Sequence, residues 1–158
     1  MQTALKIKGI PTDYTRMIQR NGRDSNNQQP QFKISDGQGN PCRHCLELIE
    51  EGDEMLVFSY KPFNSIQPYA EQGPVFIHRR ECSPYNLETG FPEVLAASTD
   101  YIVRGYNTVE EIIYGTGKVV PYTEIMNYAA ELLALAEVEF VHIRSATNNC
   151  YQARVEVG

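Results

Sequence analysis

The chain has 158 residues, of which 42% are hydrophobic and 22% are charged, and its formal net charge is −6. These values are typical of an ordinary globular protein, and we predict a single domain over residues 1–158. The negative charge disfavours a nucleic-acid partner, because binding to phosphate backbones depends on lysine and arginine. No apolar run approaches the roughly 20 residues of a membrane helix, and the first residues lack a signal peptide's apolar stretch, so we expect no membrane association and a cytoplasmic location.

The first half of the chain is predicted to form short strands separated by loops. Strands are expected where apolar, β-prone residues alternate or run together, at 4–10, 32–34, 55–60 and 75–78. Residues 21–31 are polar and rich in asparagine and glutamine, so we predict a flexible loop there. Residues 42–51 are predicted to form a short helix that ends at Gly52.

The second half carries the clearest helical pattern. After a helical turn at 93–97 and a hairpin of strands 101–106 and 111–114, apolar residues at helical spacing predict a helix over 121–136. Pro121 suits its first position. Strands at 140–143 and 151–157 complete the order. The predicted fold class is therefore α+β, a mostly antiparallel sheet with one long helix, at about 121–136, packed on one face.

Cysteine and histidine residues are concentrated in one stretch of the chain. Cys42 and Cys45 form a C-x-x-C pair, and His78 and Cys82 follow within the same 41 residues. Thiolates and imidazoles are the usual zinc ligands, so these four residues are the predicted metal ligands and zinc is the candidate cofactor. Three further residues are alternative ligands: His44, His142 and Cys150. The competing interpretation is that the cysteines are packed as small hydrophobic residues.

The same C-x-x-C pair supports a second interpretation, in which a thiol is reactive. Cys42 or Cys45 near the start of a short helix would feel the positive end of the helix dipole, and Arg43 and His44 would add positive charge. Both effects lower a thiol pKa. The strand–helix context of thioredoxin-like dithiols is not present in the predicted elements.

An anion-binding pocket is the third candidate site. Arg144 and His142 are two residues apart on a predicted strand, so they share a face, and arginine can bind carboxylate or phosphate through two hydrogen bonds. The predicted ligand-binding residues are Arg144, His142, His78, Tyr69 and Arg104. A small anionic ligand is the partner that this set favours. The alternative is that Arg144 pairs with a neighbouring carboxylate and the tyrosines cap the core.

Several short motifs together resemble an uncharacterised bacterial family, domain of unknown function 1203. The resemblance covers about 32–157 and is carried by PCRHCL at 41–46, SYKPF at 59–63, GPVFIH at 73–78, YGTG at 114–117 and VHIRSA at 141–146. It implies a small bacterial cytosolic protein and implies no activity.

The residues therefore favour one function and leave a second one open. The favoured function is a binding domain with a pocket of histidine, arginine and tyrosine side chains and a structural zinc at the Cys42/Cys45 cluster. The alternative is an enzyme or redox protein that uses the thiol of Cys42 or Cys45, or a bound metal. The sequence does not indicate a substrate or an oligomeric state.

Overall fold

The computed structural model describes residues 4–86 and 91–158, which divide into two compact units. The five-stranded unit comprises Met1–Lys8, Phe63–Ala70 and Ser98–Gly158. The three-stranded unit comprises Gly9–Pro62 and Glu71–Ala97. Within the described residues, no helix is both long enough and apolar enough to cross a membrane.

The five-stranded unit is built on an antiparallel sheet with the strand order β1-β8-β7-β5-β6. Its elements are β1 (Leu5–Lys8), β5 (Asp100–Tyr106), β6 (Lys118–Pro121), α2 (Ile125–Leu133), β7 (Phe140–Ser145) and β8 (Tyr151–Val157). Helix α2 packs on β5, β7 and β8. Its buried residues Ile125, Ala129 and Leu132 lie on one face, because apolar side chains three or four positions apart align along a helix.

The three-stranded unit is built on an antiparallel sheet with the order β2-β3-β4. Its elements are α1 (Thr12–Gln19), β2 (Gln31–Ile34), β3 (Glu54–Tyr60), β4 (Gly73–His78) and a 3-10 turn at Glu93–Ala96. Phe58, Val75 and Ile77 form part of its core together with Cys42 and Cys45. The cysteine loop thus lies against the apolar side of this sheet.

The predicted α+β class agrees with the structure, but the predicted long helix is wrong. Instead of a helix over 121–136, Pro121 ends β6 in an extended conformation with ψ 151°. A 3-10 turn at Tyr122–Glu124 follows, and the α-helix itself spans the nine residues Ile125–Leu133. Proline could occupy the first helical position, but here the pairing of β6 with β5 fixes its backbone as a strand.

The predicted helix at 42–51 is also wrong. An α-helix bonds each N–H to the carbonyl four residues earlier. Here the N–H of Cys42 donates instead to the carbonyl of Glu47, five residues later, at 2.9 Å. Leu46 then adopts φ +58°, which a helix does not allow. The segment is a tight loop closed by a bridge between Pro41 and Leu48.

The predicted hairpin at 101–106 and 111–114 is only half present. Strand β5 and the turn after it form, and the N–H of Asn107 donates to the carbonyl of Glu111 at 3.0 Å. Its second strand reduces, among the described residues, to one bridge between Tyr106 and Ile112. The side chain of Thr116 accepts the N–H of Gly105 at 2.9 Å, a donor that a continuing ladder would use.

The strands predicted around 4–10, 32–34, 55–60, 75–78, 140–143 and 151–157 are confirmed, as is the helical turn near 93–97. Helix α1 was not predicted. The single domain and the flexibility of residues 21–31 stay predictions, and residues 87–90 of the predicted irregular stretch lie outside the described part of the chain.

Candidate metal centre

The C-x-x-C loop presents both of its sulfur atoms from one tight turn. The N–H of Leu46 donates to the carbonyl of Cys42 at 3.0 Å, which closes the turn around the two cysteines. The N–H of His78 donates to the Sγ atom of Cys42 at 3.4 Å. Backbone N–H groups aimed at a sulfur atom stabilise its thiolate form, which is the form that binds metals.

The other two predicted ligands come from the end of β4 and the segment that follows it. His78 is the last residue of β4, and Cys82 lies four residues later in a stretch without regular structure. The carbonyls of His78 and Arg80 both accept hydrogen bonds from the Nε2 atom of Gln19, at 2.9 Å each. This segment is therefore held in place by helix α1.

The four predicted ligands converge on one point. Each offers one ligand atom, and these atoms all lie within 4.8 Å of one another, in a buried position. The Sγ atoms of Cys42 and Cys82 are 3.9 Å apart. The Sγ atom of Cys45 is 3.5 Å from the Nδ1 atom of His78. Buried in this way, the group could hold a metal ion.

These two distances can be compared with the edges of a zinc tetrahedron. With Zn–S of about 2.3 Å and Zn–N of about 2.0–2.1 Å, tetrahedral angles place two sulfurs about 3.8 Å apart and a sulfur and a nitrogen about 3.6 Å apart. The observed 3.9 Å and 3.5 Å agree with both edges. The donor set, three sulfurs and one imidazole, is one of the sets found in structural zinc sites.

His44 lies beside the group as a supporting residue. Its Nδ1 atom is 3.1 Å from the Sγ atom of Cys82, and its Nε2 atom is 2.9 Å from the hydroxyl oxygen of Thr12. Burial lowers the pKa of His44, which favours the neutral ring. A neutral ring satisfies both contacts when Nδ1–H donates to the sulfur and the Thr12 hydroxyl donates to Nε2. Hydrogen bonds of this kind orient metal ligands.

Helix α1 connects to both ligand segments through one side. Thr12 contacts the cysteine loop through His44, and the guanidinium of Arg16 donates to the carbonyl of Cys82 at 2.7 Å. Gln19 contacts the carbonyls of His78 and Arg80 from the same side of the helix. Residues 12, 16 and 19 share a helix face because they are four and three positions apart. The sequence carries a signal for this side of the helix in the spacing of polar residues after Pro11, but apolar periodicity alone does not reveal it.

The electrostatics of the group favour a thiolate and an imidazolium when no metal neutralises them. Hydrogen bonds from Cys45 and Cys82 lower the pKa of Cys42 far below its usual range. The same interaction with Cys42 raises the pKa of Cys45. Hydrogen bonds with Cys42 and Cys82 raise the pKa of His78 to about 9. A divalent cation would replace that proton as the partner of the negative sulfurs.

An open cleft of about 790 Å³ borders the cluster. Its lining includes Cys45, His78 and Cys82. Cys45 and Cys82 are 8% and 9% exposed, whereas Cys42 is fully buried. The cluster thus has one covered sulfur and two sulfurs that border the cleft.

Two of the sequence-based interpretations of this stretch need correction. Because 42–51 forms no helix, neither cysteine lies at a helix N-terminus, and the helix-dipole argument for a lowered thiol pKa is wrong. The alternative ligands His44, His142 and Cys150 do not belong to the group of four. Cys150 lies in the five-stranded unit, with its thiol 3.8 Å from the carbonyl oxygen of Asn148.

The residues of the predicted anion pocket are divided between the units. His78 belongs to the cluster just described, and the other four, Arg104, His142, Arg144 and Tyr69, lie in the five-stranded unit. The hydroxyl of Tyr69 is 2.9 Å from that of Tyr114. Whether these residues serve one ligand stays a prediction.

Strand pairing brings Arg104 and His142 together and adds two residues that sequence reasoning missed. Arg104 pairs with His142, His142 pairs with Arg154, and Arg154 pairs with Lys8. These four residues, the basic row, cross four adjacent strands. Arg144 follows His142 after a register shift between Ile143 and Arg144. Single-sequence reasoning could not find the row, because register is a long-range property.

His142 is completely buried among aromatic rings. The ring centroids of Phe63, Tyr106, Phe140 and Tyr151 lie 4.7–5.3 Å from that of His142. Within the described residues, neither of its ring nitrogens has a hydrogen-bond partner. Burial, and then the charges of the nearby arginines, hold the pKa of His142 well below its usual value.

Arg144 is buried as well, at 3% exposure. Its Nη1 atom donates to the carbonyl of Asn149 at 3.1 Å. Its burial excludes a solvent-exposed position, and whether Arg144 anchors an anion or pairs with a neighbouring carboxylate stays a prediction.

Comparison with known proteins identifies the family of the chain. A family model described as "Protein of unknown function (DUF1203)" matches residues 39–157, so the chain belongs to this family. The match includes all four residues of the candidate metal centre. No curated protein and no solved structure matches the chain significantly.

Proposed function

We propose that this member of a family without an assigned function is a zinc-stabilised binding protein, in which Cys42, Cys45, His78 and Cys82 hold a structural zinc ion. The observation that carries the proposal is the agreement of two independent edges of the cluster, 3.9 Å and 3.5 Å, with a zinc tetrahedron. Hydrogen bonds between neutral thiols and an imidazole also occur at these distances, so the convergence of all four donor atoms within 4.8 Å, which packing of small hydrophobic residues does not require, supports the metal site further.

The structural role is favoured over a catalytic one by the number of protein ligands. Catalytic zinc sites keep a position for water or substrate and use three protein ligands, whereas structural sites are closed by four. Four buried donors converge here. The zinc would join the cysteine loop to the segment after β4, two parts of the three-stranded unit that are more than 30 residues apart in the chain.

The supporting hydrogen bonds point to the same role. The N–H of His78 and the ring of His44 both contact cluster sulfurs, at 3.4 Å and 3.1 Å. Three thiolates on one divalent cation leave a net negative charge, and N–H donors reduce that charge on the sulfurs. A cluster of protonated thiols would gain less from such donors.

The proposal is tested by the metal content of the purified protein and by cobalt substitution. We expect stoichiometric zinc, and a Co²⁺-loaded protein with the strong visible bands of tetrahedral cobalt and the ultraviolet charge-transfer bands of cobalt–thiolate bonds. Cys45→Ser should lose these bands, while the matched control Cys150→Ser should keep them. A metal-free protein that melts cooperatively and does not bind Co²⁺ would overturn the proposal.

A second function, binding of a small anion by the five-stranded unit, is favoured by the basic row. His142, flanked by Arg104 and Arg154 in this register, has two buried nitrogens without a hydrogen-bond partner among the described residues. An anion that draws a proton onto His142 would give those nitrogens a partner and offset the cost of burying them unsatisfied, about 1–3 kcal/mol for each.

This second function is tested by titrating the protein with phosphate, with chloride as the control for ionic strength. We expect phosphate to shift the NMR signals of the His142 ring and of its neighbours on β5 and β8. Arg154→Gln should weaken the response, whereas Arg20→Gln, a change at an exposed arginine of the three-stranded unit, should not. If phosphate and chloride produce the same small shifts, the basic row does not bind anions.

A further inference from the structure

We propose that the zinc centre is a sensor of hydroperoxides, in which oxidation of Cys82 leads to a Cys42–Cys82 disulfide and release of the zinc ion. This inference rests on the proposed zinc function and adds a regulatory activity to it. It is carried by the position of the cleft, by the unequal exposure of the three sulfurs and by the separation of two of them.

Access distinguishes the three sulfurs. Cys42 is fully buried, whereas Cys45 and Cys82 border the cleft of about 790 Å³. A hydroperoxide as small as hydrogen peroxide can enter a cleft of this size. Oxidation of cysteine follows thiolate character and access, so the first oxidation should occur at Cys45 or Cys82, the two cluster cysteines that line the cleft.

The local chain favours Cys82 over Cys45. Both neighbours of Cys82, Glu81 and Ser83, are exposed, whereas Cys45 lies between the buried residues His44 and Leu46. Leu46 also holds a positive φ of 58° in the core, which fixes the backbone beside Cys45. The carbonyl of Cys82 is held by Arg16, but its side chain can change rotamer with less disturbance of its chain neighbours than that of Cys45.

Cys42 is placed to complete the reaction. Its Sγ atom is 3.9 Å from that of Cys82. A disulfide requires about 2.05 Å between sulfurs, so the two atoms must approach by roughly 2 Å. Removal of the zinc–sulfur bond to Cys82 allows this approach, since the tetrahedron no longer holds the two sulfurs apart.

The reaction balances with the hydroperoxide as the only oxidant. The Cys82 thiolate attacks one peroxide oxygen; a sulfur–oxygen bond forms, the oxygen–oxygen bond breaks, and the leaving oxygen takes a proton from solvent. Cys82 is oxidised by two electrons to a sulfenic acid and the peroxide is reduced. The Cys42 thiolate then attacks the Cys82 sulfur; a sulfur–sulfur bond forms and hydroxide leaves, which a second proton converts to water.

The disulfide removes half of the ligands. Only Cys45 and His78 remain to hold the metal, and two donors do not make a stable zinc site. The cysteine loop and the segment after β4 stay joined, now by the disulfide. The expected product is therefore a folded, zinc-free protein in which the Cys42–Cys82 disulfide borders the cleft. Reduction with added zinc should restore the starting state.

The test uses the full-length, zinc-loaded protein, with its zinc content measured first. Hydrogen peroxide is added, zinc release is followed with a chromogenic chelator, and the thiols are then alkylated and mapped by mass spectrometry. We expect release of the bound zinc together with a Cys42–Cys82 cross-link, both reversed by a dithiol reductant and zinc. Ser83→Tyr, at the cleft lining, should slow release several-fold, whereas Ser98→Tyr, at an exposed serine of the other unit, should not.

Three results would overturn the sensor, and they are distinguishable from failure of the zinc centre. Zinc retained through an excess of peroxide would leave a structural zinc without a sensor function. Zinc lost with Cys45 in the cross-link, or with over-oxidised cysteine and no cross-link, would refute the proposed sequence of steps. A protein that is purified without zinc would overturn both proposals.

Discussion

His78 in the three-stranded unit and His142 in the five-stranded unit are buried to the same degree, 2% and 0% exposed, but their surroundings favour opposite charge states. Hydrogen bonds with Cys42 and Cys82 raise the pKa of His78 to about 9. Burial and neighbouring arginines hold the pKa of His142 well below its usual value.

The comparison shows that burial keeps a histidine neutral unless its neighbours outweigh it: burial is the main cause of the lowered pKa of His142, whereas hydrogen bonds with thiols outweigh burial at His78. Next to thiolates, the imidazole shares a site that attracts cations, and a metal can replace its proton. Among aromatic rings and arginines, the imidazole stays neutral, and the positive charges nearby would favour a bound anion. One unit therefore offers a candidate cation site and the other offers a candidate anion site.

The largest effect is expected when the cation site loses a ligand. Cys45→Ser should abolish zinc binding and lower the melting temperature by about 10 °C or more, because structural zinc contributes folding free energy directly and each kcal/mol corresponds to roughly 2–4 °C in a chain of this size. Chelation of the wild type should reproduce the shift.

The matched control for that change is Cys150→Ser, which removes a cysteine outside the cluster. Differential scanning calorimetry of the two variants, with and without chelator, separates loss of metal from loss of a thiol. Equal melting temperatures for the two variants would show that the cluster holds no stabilising metal.

The extent to which the sequence predicts this cation site differs between its parts. The four ligands could be selected from the sequence, because cysteine and histidine are few and their spacing is informative. The supporting hydrogen bonds of His44, Thr12, Arg16 and Gln19 could not, because they depend on how helix α1 lies against two distant segments.

The same limit applies to the fold. Strands with continuous apolar runs, such as β3 and β4, were predicted from local pattern alone. The helices at 42–51 and 121–136 were predicted wrongly, because hydrogen bonds of Cys42 and the pairing of β6 with β5 overrode local preference. The basic row depends on strand register, which no local pattern specifies.

The second-largest effect is expected when a residue that supports a ligand of the cation site is replaced. His44→Gln removes the ring whose Nδ1 atom lies 3.1 Å from the Cys82 sulfur. We expect zinc affinity to fall by about 10- to 100-fold with the four ligands intact, as is typical when a hydrogen-bond partner of a metal ligand is removed. Competition with a chelator of known affinity measures the change. Unchanged affinity would show that the ligand segments hold Cys82 without this hydrogen bond.

A smaller effect is expected at the neutral histidine, and it depends on pH. The pKa of His142 is depressed in the folded protein, so below its ordinary value of 6.5 the unfolded chain binds a proton that the folded chain does not. Stability contributed by His142 is therefore complete above pH 6.5 and falls as the pH decreases, by up to about 1.4 kcal/mol per pH unit. The charged groups that oppose protonation are Arg144, Arg154 and Arg104.

His142→Phe tests that dependence, since phenylalanine suits the surrounding rings and cannot titrate. We expect the stability at pH 7 to be unchanged or slightly higher, because two unsatisfied nitrogens are removed. The decline below pH 6.5 should be shallower than in the wild type. Zinc loss at low pH affects both proteins equally, so the difference between their urea unfolding curves isolates His142. If the free energy of unfolding falls equally with decreasing pH in both proteins, His142 does not contribute to the pH dependence of stability.

The smallest effect is expected at the carboxylate that accompanies the basic row. The carboxylate oxygens of Glu156 lie 2.5 Å from the Nζ atom of Lys8 and 2.8 Å from the Nε atom of Arg154. Burial raises the pKa of Glu156, but these two partners lower it by more, so the pKa is below its ordinary value. Its stabilising contribution is complete above the ordinary value of 4.5 and is lost as the pH falls through the depressed pKa. Because both ion pairs are partly exposed, Glu156→Gln should cost only about 0–1 kcal/mol of folding stability at pH 7.

Glu156→Gln should also strengthen any phosphate response of His142, since it removes a negative charge next to the basic row. Glu137→Gln, at an exposed glutamate, should alter neither the stability nor the phosphate response. A phosphate response that weakens in Glu156→Gln would mean that the row does not act on anions through its charge.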